Sequence, residues 1–119
     1  MPKKVLLVED DLFLIDIYTK KLQKSGFEVI NADTGLKAVK MVQDNKPDLV
    51  LLDIVLPEME GWEVLKKVKK QSPALHVIIL SNLSQRQEVE KGLQLGAEKY
   101  LIKSQYTPSE VVEEVKKII

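Results

Sequence analysis

Glu9-Asp10-Asp11 follows directly on an apolar run at 5–8, and Asp53 follows directly on another at 49–52. Two further apolar runs, at 77–80 and 100–102, are followed by a hydroxyl, Ser81, and an amine, Lys103. Parallel strands in one sheet would bring all four run ends to a single rim. The acids would then crowd, because two unit charges about 4 Å apart repel by roughly 4 kcal/mol at an effective dielectric near 20. Such a cluster persists when a hard cation joins it. Mg²⁺ fits, since it favours one or two carboxylates, several waters and a phosphate oxygen. Asp10 and Asp53 together read as metal ligands, whereas Asp11 reads better as the cap of the helix that follows. A hydroxyl and an ammonium facing acids suit phosphoryl transfer, where catalysis is positioning plus cationic stabilisation of a loose transition state. Taken singly, Lys103 is an ordinary solvated lysine and Ser81 a turn cap. Matching residues at four strand ends favour the site.

The elements that must hold these residues are legible in the hydrophobic pattern. The runs at 5–8, 49–52, 77–80 and 100–102 are nearly continuous in apolar character, as strands covered on both faces are. The run at 27–32 is more mixed and belongs nearer an edge. Helical periods fill the intervals: Leu14, Ile15, Tyr18 and Leu22; Ala38, Val39 and Val42; Val64, Leu65 and Val68; Val89 and Leu93; Val111, Val112, Val115, Ile118 and Ile119. Gly26 should end the first helix and Gly96 lies near the end of the fourth. Thr107-Pro108-Ser109-Glu110 predicts a capping box with proline at the first helical position, and Ser84-Gln85-Arg86-Gln87 offers a similar box. Strand and helix alternating five times predict an α/β domain, a parallel sheet with helices on both faces and right-handed crossovers. Ligands of such sheets bind at the carboxyl ends of the strands, where strand order reverses.

Composition bounds the function. With 119 residues the chain fits one domain, residues 1–119, and shows no linker or repeat. Lys plus Arg and Asp plus Glu number 18 each, and a balanced charge argues against broad binding to nucleic acid or an anionic membrane. The absence of cysteine excludes disulfides and thiolate metal sites. The basic then apolar N-terminus is too short in its apolar part for a signal peptide, and no run approaches the roughly 20 residues that span a bilayer. A cytoplasmic protein is expected.

At these residues the sequence resembles the receiver domain of bacterial two-component response regulators, of the chemotaxis-receiver type, along its whole length. Val5-Leu6-Leu7-Val8-Glu9-Asp10-Asp11 is similar to that family's opening strand and acid pair. Leu51-Leu52-Asp53-Ile54-Val55-Leu56-Pro57 with Glu58-Met59-Glu60-Gly61 resembles its phosphoacceptor segment. Gly96-Ala97, Tyr100 and Lys103 resemble the approach to the fifth strand and its end. The resemblance implies a flavodoxin-like, doubly wound sheet of five strands in order 2-1-3-4-5, flanked by five helices. It implies that Asp53 takes a phosphoryl group from a sensor histidine kinase or phosphotransfer protein. Asp10 would bind Mg²⁺ directly, Glu9 through water, and the Val55 backbone carbonyl would complete the protein ligands alongside Asp53. Ser81 and Lys103 would hold phosphoryl oxygens, and Tyr100 would be the switch aromatic. A strand buried on both faces carries no parity signal, so Asp10 and Asp11 remain an alternative acid pair; the family's order selects Glu9 and Asp10.

Departures from the family pattern matter. Ser104 stands where proline usually follows the lysine, and a cis bond before serine would cost about 2.5–4 kcal/mol, so a trans loop or a strained exception is expected. Asn82 stands where a small side chain is usual. Leu83 and Val55 occupy positions that influence phosphoryl loss; both are apolar and cannot orient a water, which implies a long-lived aspartyl phosphate. His76, at the far end of its strand, is not expected to bind metal or relay phosphate, Trp62 is expected to pack or face a partner, and the lysines at 66–70 read as a solvated helix face. The resemblance thus implies a signalling module rather than a metabolic enzyme, with no output domain, acting through a protein partner or self-association at the last two helices and fifth strand. Two alternatives stand beside it. One is a receiver-like docking module that works without phosphate. The other is a flavodoxin-like ligand-binding protein, against which the first strand–helix turn is acidic rather than glycine-rich.

Overall fold

The computed structural model describes residues 2–119. Among them five strands alternate with five α-helices: β1 (Lys4–Val8), α1 (Leu12–Lys24), β2 (Glu28–Ala32), α2 (Gly35–Asn45), β3 (Leu49–Leu52), α3 (Gly61–Gln71), β4 (His76–Ser81), α4 (Arg86–Gln94), β5 (Lys99–Ile102) and α5 (Pro108–Lys116). All pairings are parallel and the strand order is β2-β1-β3-β4-β5, the doubly wound, flavodoxin-like arrangement expected. The central strands are apolar throughout because both faces are covered. Leu6, Val8, Val50, Leu52, Val77 and Ile79 pack with α2 and α3, while Val5, Leu7, Leu49, Leu51, Ile78 and Leu80 pack with α1 and α5. Edge strand β2 is only partly buried, which accounts for its mixed sequence.

The helix starts and stops follow local chemistry. Asp11 caps α1, its carboxylate accepting from the amides of Phe13 and Leu14, so it is engaged as a cap. Gly26 takes φ 94 just past the end of α1, a left-handed conformation that glycine adopts without steric cost. The capping box at Thr107 and Glu110 is formed in both directions. The box expected at Ser84 is not: the N-cap of α4 is Gln85, whose side chain makes no capping bond, and Leu93 is 46% exposed rather than inward. The reason is Gly92. A methyl on it would stand 2.5 Å from Ile79 Cδ1 and 3.0 Å from the Tyr100 ring, so α4 approaches the sheet through a residue without a side chain. Its neighbour Leu93, about 100° further round the helix, is turned outward. Trp62 is buried in the core, and the Lys91 ammonium sits 4.6 Å from its ring centroid.

Candidate functional site: an acid cluster bridged by lysine

Strand order reverses between β1 and β3, and the crevice at their carboxyl ends is where this topology offers a site. The backbone ladder continues past both strands: Glu9 N–H donates to Ala32 O at 3.0 Å and Asp53 N–H to Val8 O at 3.1 Å. These bonds place Glu9 and Asp53 side by side. Glu9, Asp10 and Asp53 each offer a carboxylate oxygen within 4.8 Å of the others. Glu9 and Asp53 are buried while Asp10 is exposed, so the cluster opens to solvent on one side.

Lys103 closes it. Its Nζ donates to Glu9 Oε1 at 2.5 Å and to Asp53 Oδ2 at 2.8 Å. The Lys103–Ser104 peptide is trans, and a single 3₁₀ turn, Lys103–Gln105, follows β5. Serine in place of proline therefore leaves the ammonium over the acids. The remaining acceptor capacity is used locally. Glu9 Oε2 accepts from the amides of Asp10 and Asp11 at 3.0 and 3.2 Å, and Asp53 Oδ1 accepts from Val55 N–H at 3.2 Å. Burial raises the Glu9 carboxyl, and the Lys103 ammonium only partly opposes it. Burial pulls Lys103 down, but its hydrogen bonds to Asp53 and Glu9 outweigh that and hold it above its ordinary value. The two directions have different origins: loss of solvent raises Glu9, whereas the carboxylates facing it raise Lys103.

A second cation fits this excess of negative charge. The donor set is all hard oxygen, two of the acids are held rigidly, and the third is exposed, which matches the preference of Mg²⁺ for a few carboxylates and retained waters. Val55 follows two residues after Asp53 and its N–H donates to the Asp53 carboxylate, so its backbone lies at the same rim.

Ser81 and Tyr100 are placed at the adjoining strand ends but are engaged elsewhere. Ser81 is fully buried and its Oγ accepts from Leu83 N–H at 3.3 Å, a short turn around the end of β4. The Tyr100 hydroxyl donates to Leu83 O at 2.6 Å, and its half-buried ring packs against the core from β5. Burial raises its phenol above the usual value. Thus both residues are tied to the backbone of Leu83, Ser81 to its N–H and Tyr100 to its carbonyl. His76 lies at the opposite rim, its Nδ1 against the Glu98 carboxylate, remote from the acids.

Two features escaped sequence reasoning. The direct bridge from Lys103 to Glu9 is one, because contacts across 94 positions carry no local signal. The other is an apolar collar. Leu12 and Phe13 open α1 at 82% and 72% exposure, and Leu36 opens α2 at 53%. Both lie at the same rim as the acids. Leu12 and Phe13 fall out of phase with Leu14, Ile15, Tyr18 and Leu22, which was the available clue.

A doubly wound sheet carrying a lysine-bridged acid cluster at its reversal point defines a receiver-type α/β domain. The family model for the response regulator receiver domain matches residues 5–116, and the chain belongs to that family. It is 35% identical over 119 residues to the alkaline phosphatase synthesis transcriptional regulatory protein PhoP of Bacillus subtilis, covering all of this chain and 49% of that protein. It is 34% identical to the chemotaxis protein CheY of Thermotoga maritima, covering 99% of this chain and 98% of that protein. The chain thus spans about half the length of the transcriptional regulator and nearly all of the chemotaxis protein. Among solved structures, a CheY-like response regulator receiver domain protein from Methanospirillum hungatei superposes with TM-score 0.92 at 30% identity, over 98% of this chain and 93% of that one.

Proposed function

We propose that this chain is a phosphorylation-switched receiver: with Mg²⁺ bound, Asp53 accepts a phosphoryl group from the phosphohistidine of a sensor kinase or phosphotransfer protein. The observation that carries this reading is Lys103 Nζ at 2.8 Å from Asp53 and 2.5 Å from Glu9, within a trio of carboxylates. An Asp53 oxygen attacks phosphorus, the nitrogen–phosphorus bond of the donor breaks, and the imidazole leaves. Glu9, Asp10, Asp53 and the Val55 carbonyl would hold Mg²⁺, which when bound neutralises charge on the phosphoryl oxygens. Lys103 is the second cation for those oxygens, already aimed at the nucleophile. Ser81 supplies a hydroxyl to the phosphoryl group once it releases the Leu83 amide. Tyr100, tied to the carbonyl of the same residue, carries that rearrangement to the surface of α4, β5 and α5.

The unit is a single signalling domain, residues 1–119, acting in the cytoplasm through a downstream protein or through self-association rather than through nucleic acid or a membrane. No helix among the described residues is long and apolar enough to cross a membrane. The collar of Leu12, Phe13 and Leu36 beside the acids supports docking of a protein phosphoryl donor, since apolar groups grouped at a polar site mark an interaction surface. The test is incubation with acetyl phosphate and Mg²⁺ followed by intact mass. One phosphoryl addition is expected, abolished by Asp53→Asn and prevented by chelation. No addition to the unaltered chain would refute the reading and leave a docking module that works without phosphate.

A further inference from the structure

We infer that Gly35, at the first turn of α2, is a positioning residue for the loop that follows Asp53, and that it tunes Mg²⁺ affinity without touching the ion. The inference rests on the metal site proposed above. Residues 54–60 leave β3, turn, and return to start α3. The base of this loop is closed by Gly61 N–H donating to Ile54 O at 2.8 Å, and a Cβ on Gly61 would stand 2.5 Å from Asp53 O and from Ile54 Cα. Val55, whose carbonyl the metal site needs, has no core anchor of its own, with its side chain 63% exposed.

The tip of the loop is the mobile end unless something braces it. Glu58 sits there at φ 68, a left-handed conformation disfavoured for a side-chain-bearing residue, and Met59 N–H bonds back to Pro57 O at 2.8 Å. Met59 anchors the α3 side of this tip inward, partly buried against the core, as Leu56 anchors the β3 side beside Val55. The Met59 peptide lies directly on Gly35. A Cβ at position 35 would overlap the Met59 carbonyl oxygen and stand 2.7 Å from Met59 Cβ. The carbonyl is backbone and cannot rotate away, so a methyl there must displace the loop or the helix. The helix is held: Thr34 caps it, accepting from Lys37 N–H at 3.1 Å, and Ala32 just before it accepts from Glu9 N–H at 3.0 Å. The loop is the weaker side and yields, and Val55, exposed between Ile54 and Leu56 with no anchor of its own, is where its backbone takes up the shift.

Helix propensity works in the opposite direction. Alanine is the better helix former, so a purely structural role predicts that Gly35→Ala is neutral or stabilising. A bracing role predicts Mg²⁺ affinity weakened roughly ten-fold, the scale on which supports behind metal ligands act. The experiment uses the full chain. Mg²⁺ is titrated with Trp62 fluorescence as the signal, and amide hydrogen exchange across 54–60 is read in the metal-free protein. Val42→Ala, on the same helix but two turns from the loop, serves as a control for stability.

The expected result is weaker Mg²⁺ binding and faster exchange in Gly35→Ala, with both unchanged in Val42→Ala. Met59→Ala frees the loop tip from its other side and shifts Mg²⁺ affinity in the same direction, which keeps the inference testable if Gly35→Ala does not fold. Wild-type affinity and exchange in a folded Gly35→Ala overturn it, as does an equal loss in Val42→Ala. Failure of the unaltered chain to bind Mg²⁺ refutes the metal site instead, and the metal-free exchange then decides the bracing role alone.

Discussion

Replacing Asp53 with Asn tests the electrostatics of the site directly, because the expected sign reverses with the metal. In the metal-free chain Asp53 shares a space within 4.8 Å with two other carboxylates. At an effective dielectric near 20, each such pair repels by about 3.5 kcal/mol. Against this, the Lys103 ammonium 2.8 Å away attracts by about 6 kcal/mol on the same scale. The opposing quantities nearly cancel, with repulsion ahead. Asn keeps the shape and accepts from Lys103 with its single oxygen, giving up the longer 3.2 Å bond from Val55 N–H to Asp53 Oδ1, and is therefore expected to stabilise the metal-free protein by less than about 1 kcal/mol. Mg²⁺ changes the order. At ten times its dissociation constant it stabilises the unaltered chain by about 1.4 kcal/mol, roughly 5 °C in midpoint for a domain of this size. Asp53→Asn loses a charged ligand and most of that gain. The assay is urea unfolding followed by Trp62 fluorescence and circular dichroism, in chelator and in Mg²⁺. A metal-free Asp53→Asn protein that is less stable than the parent by more than 1 kcal/mol would refute the repulsion reasoning. Equal Mg²⁺ stabilisation of both proteins would refute the ligand assignment.

Lys103→Ala leaves Glu9 and Asp53 buried without their shared partner and should cost about 3 kcal/mol in chelator, with Mg²⁺ restoring more stability than it adds to the parent; calorimetry in both conditions checks this. Gly61→Ala forces a methyl to 2.5 Å from Asp53 O and should destabilise by about 1–3 kcal/mol while slowing phosphorylation by acetyl phosphate, measured by intact mass over time. Hydrogen bonds from Lys117 and then Lys99 depress the Glu114 carboxyl, so its contribution to stability is present above its unfolded value of 4.5 and is lost as pH falls through the lower folded value. Glu114→Gln is accordingly expected to weaken the fold at pH 7 and to match the parent near pH 2, by urea midpoints at both. The aspartyl phosphate should persist for minutes or longer, since neither Leu83 nor Val55 can orient a water; mass-monitored decay within seconds contradicts this.

What could be read from residue order was whatever depends on near neighbours and on repeat period. Strand identity at 49–52, the alternation of strands with helices, the Asp11 cap, the Thr107 box and the turn at Gly26 each follow from a few adjacent side chains competing for backbone groups or for the core. The acids, the serine and the lysine were findable because each comes directly after an apolar run, and parallel topology then carries all run ends to one rim. Which acids of the triplet stand together with Asp53 required the geometry, which groups Glu9 and Asp10 with it, because a strand covered on both faces carries no alternation to set the register.

Tertiary packing alone decided three matters. Lys103 bridges Glu9 and Asp53 across a trans peptide despite Ser104, a contact formed by the sheet bringing β1, β3 and β5 to one edge. Leu93 turns outward because Gly92 lets α4 settle on Ile79 and Tyr100, and hydrophobic periodicity cannot register a contact made by a missing side chain. Gly35 meets Met59 for the same kind of reason: a close backbone approach is invisible in composition and appears only when two distant segments are laid against each other. Local chemistry thus specifies which elements form and which residues stand at their ends. The distances between those ends, and therefore the charge balance among them, belong to the folded sheet.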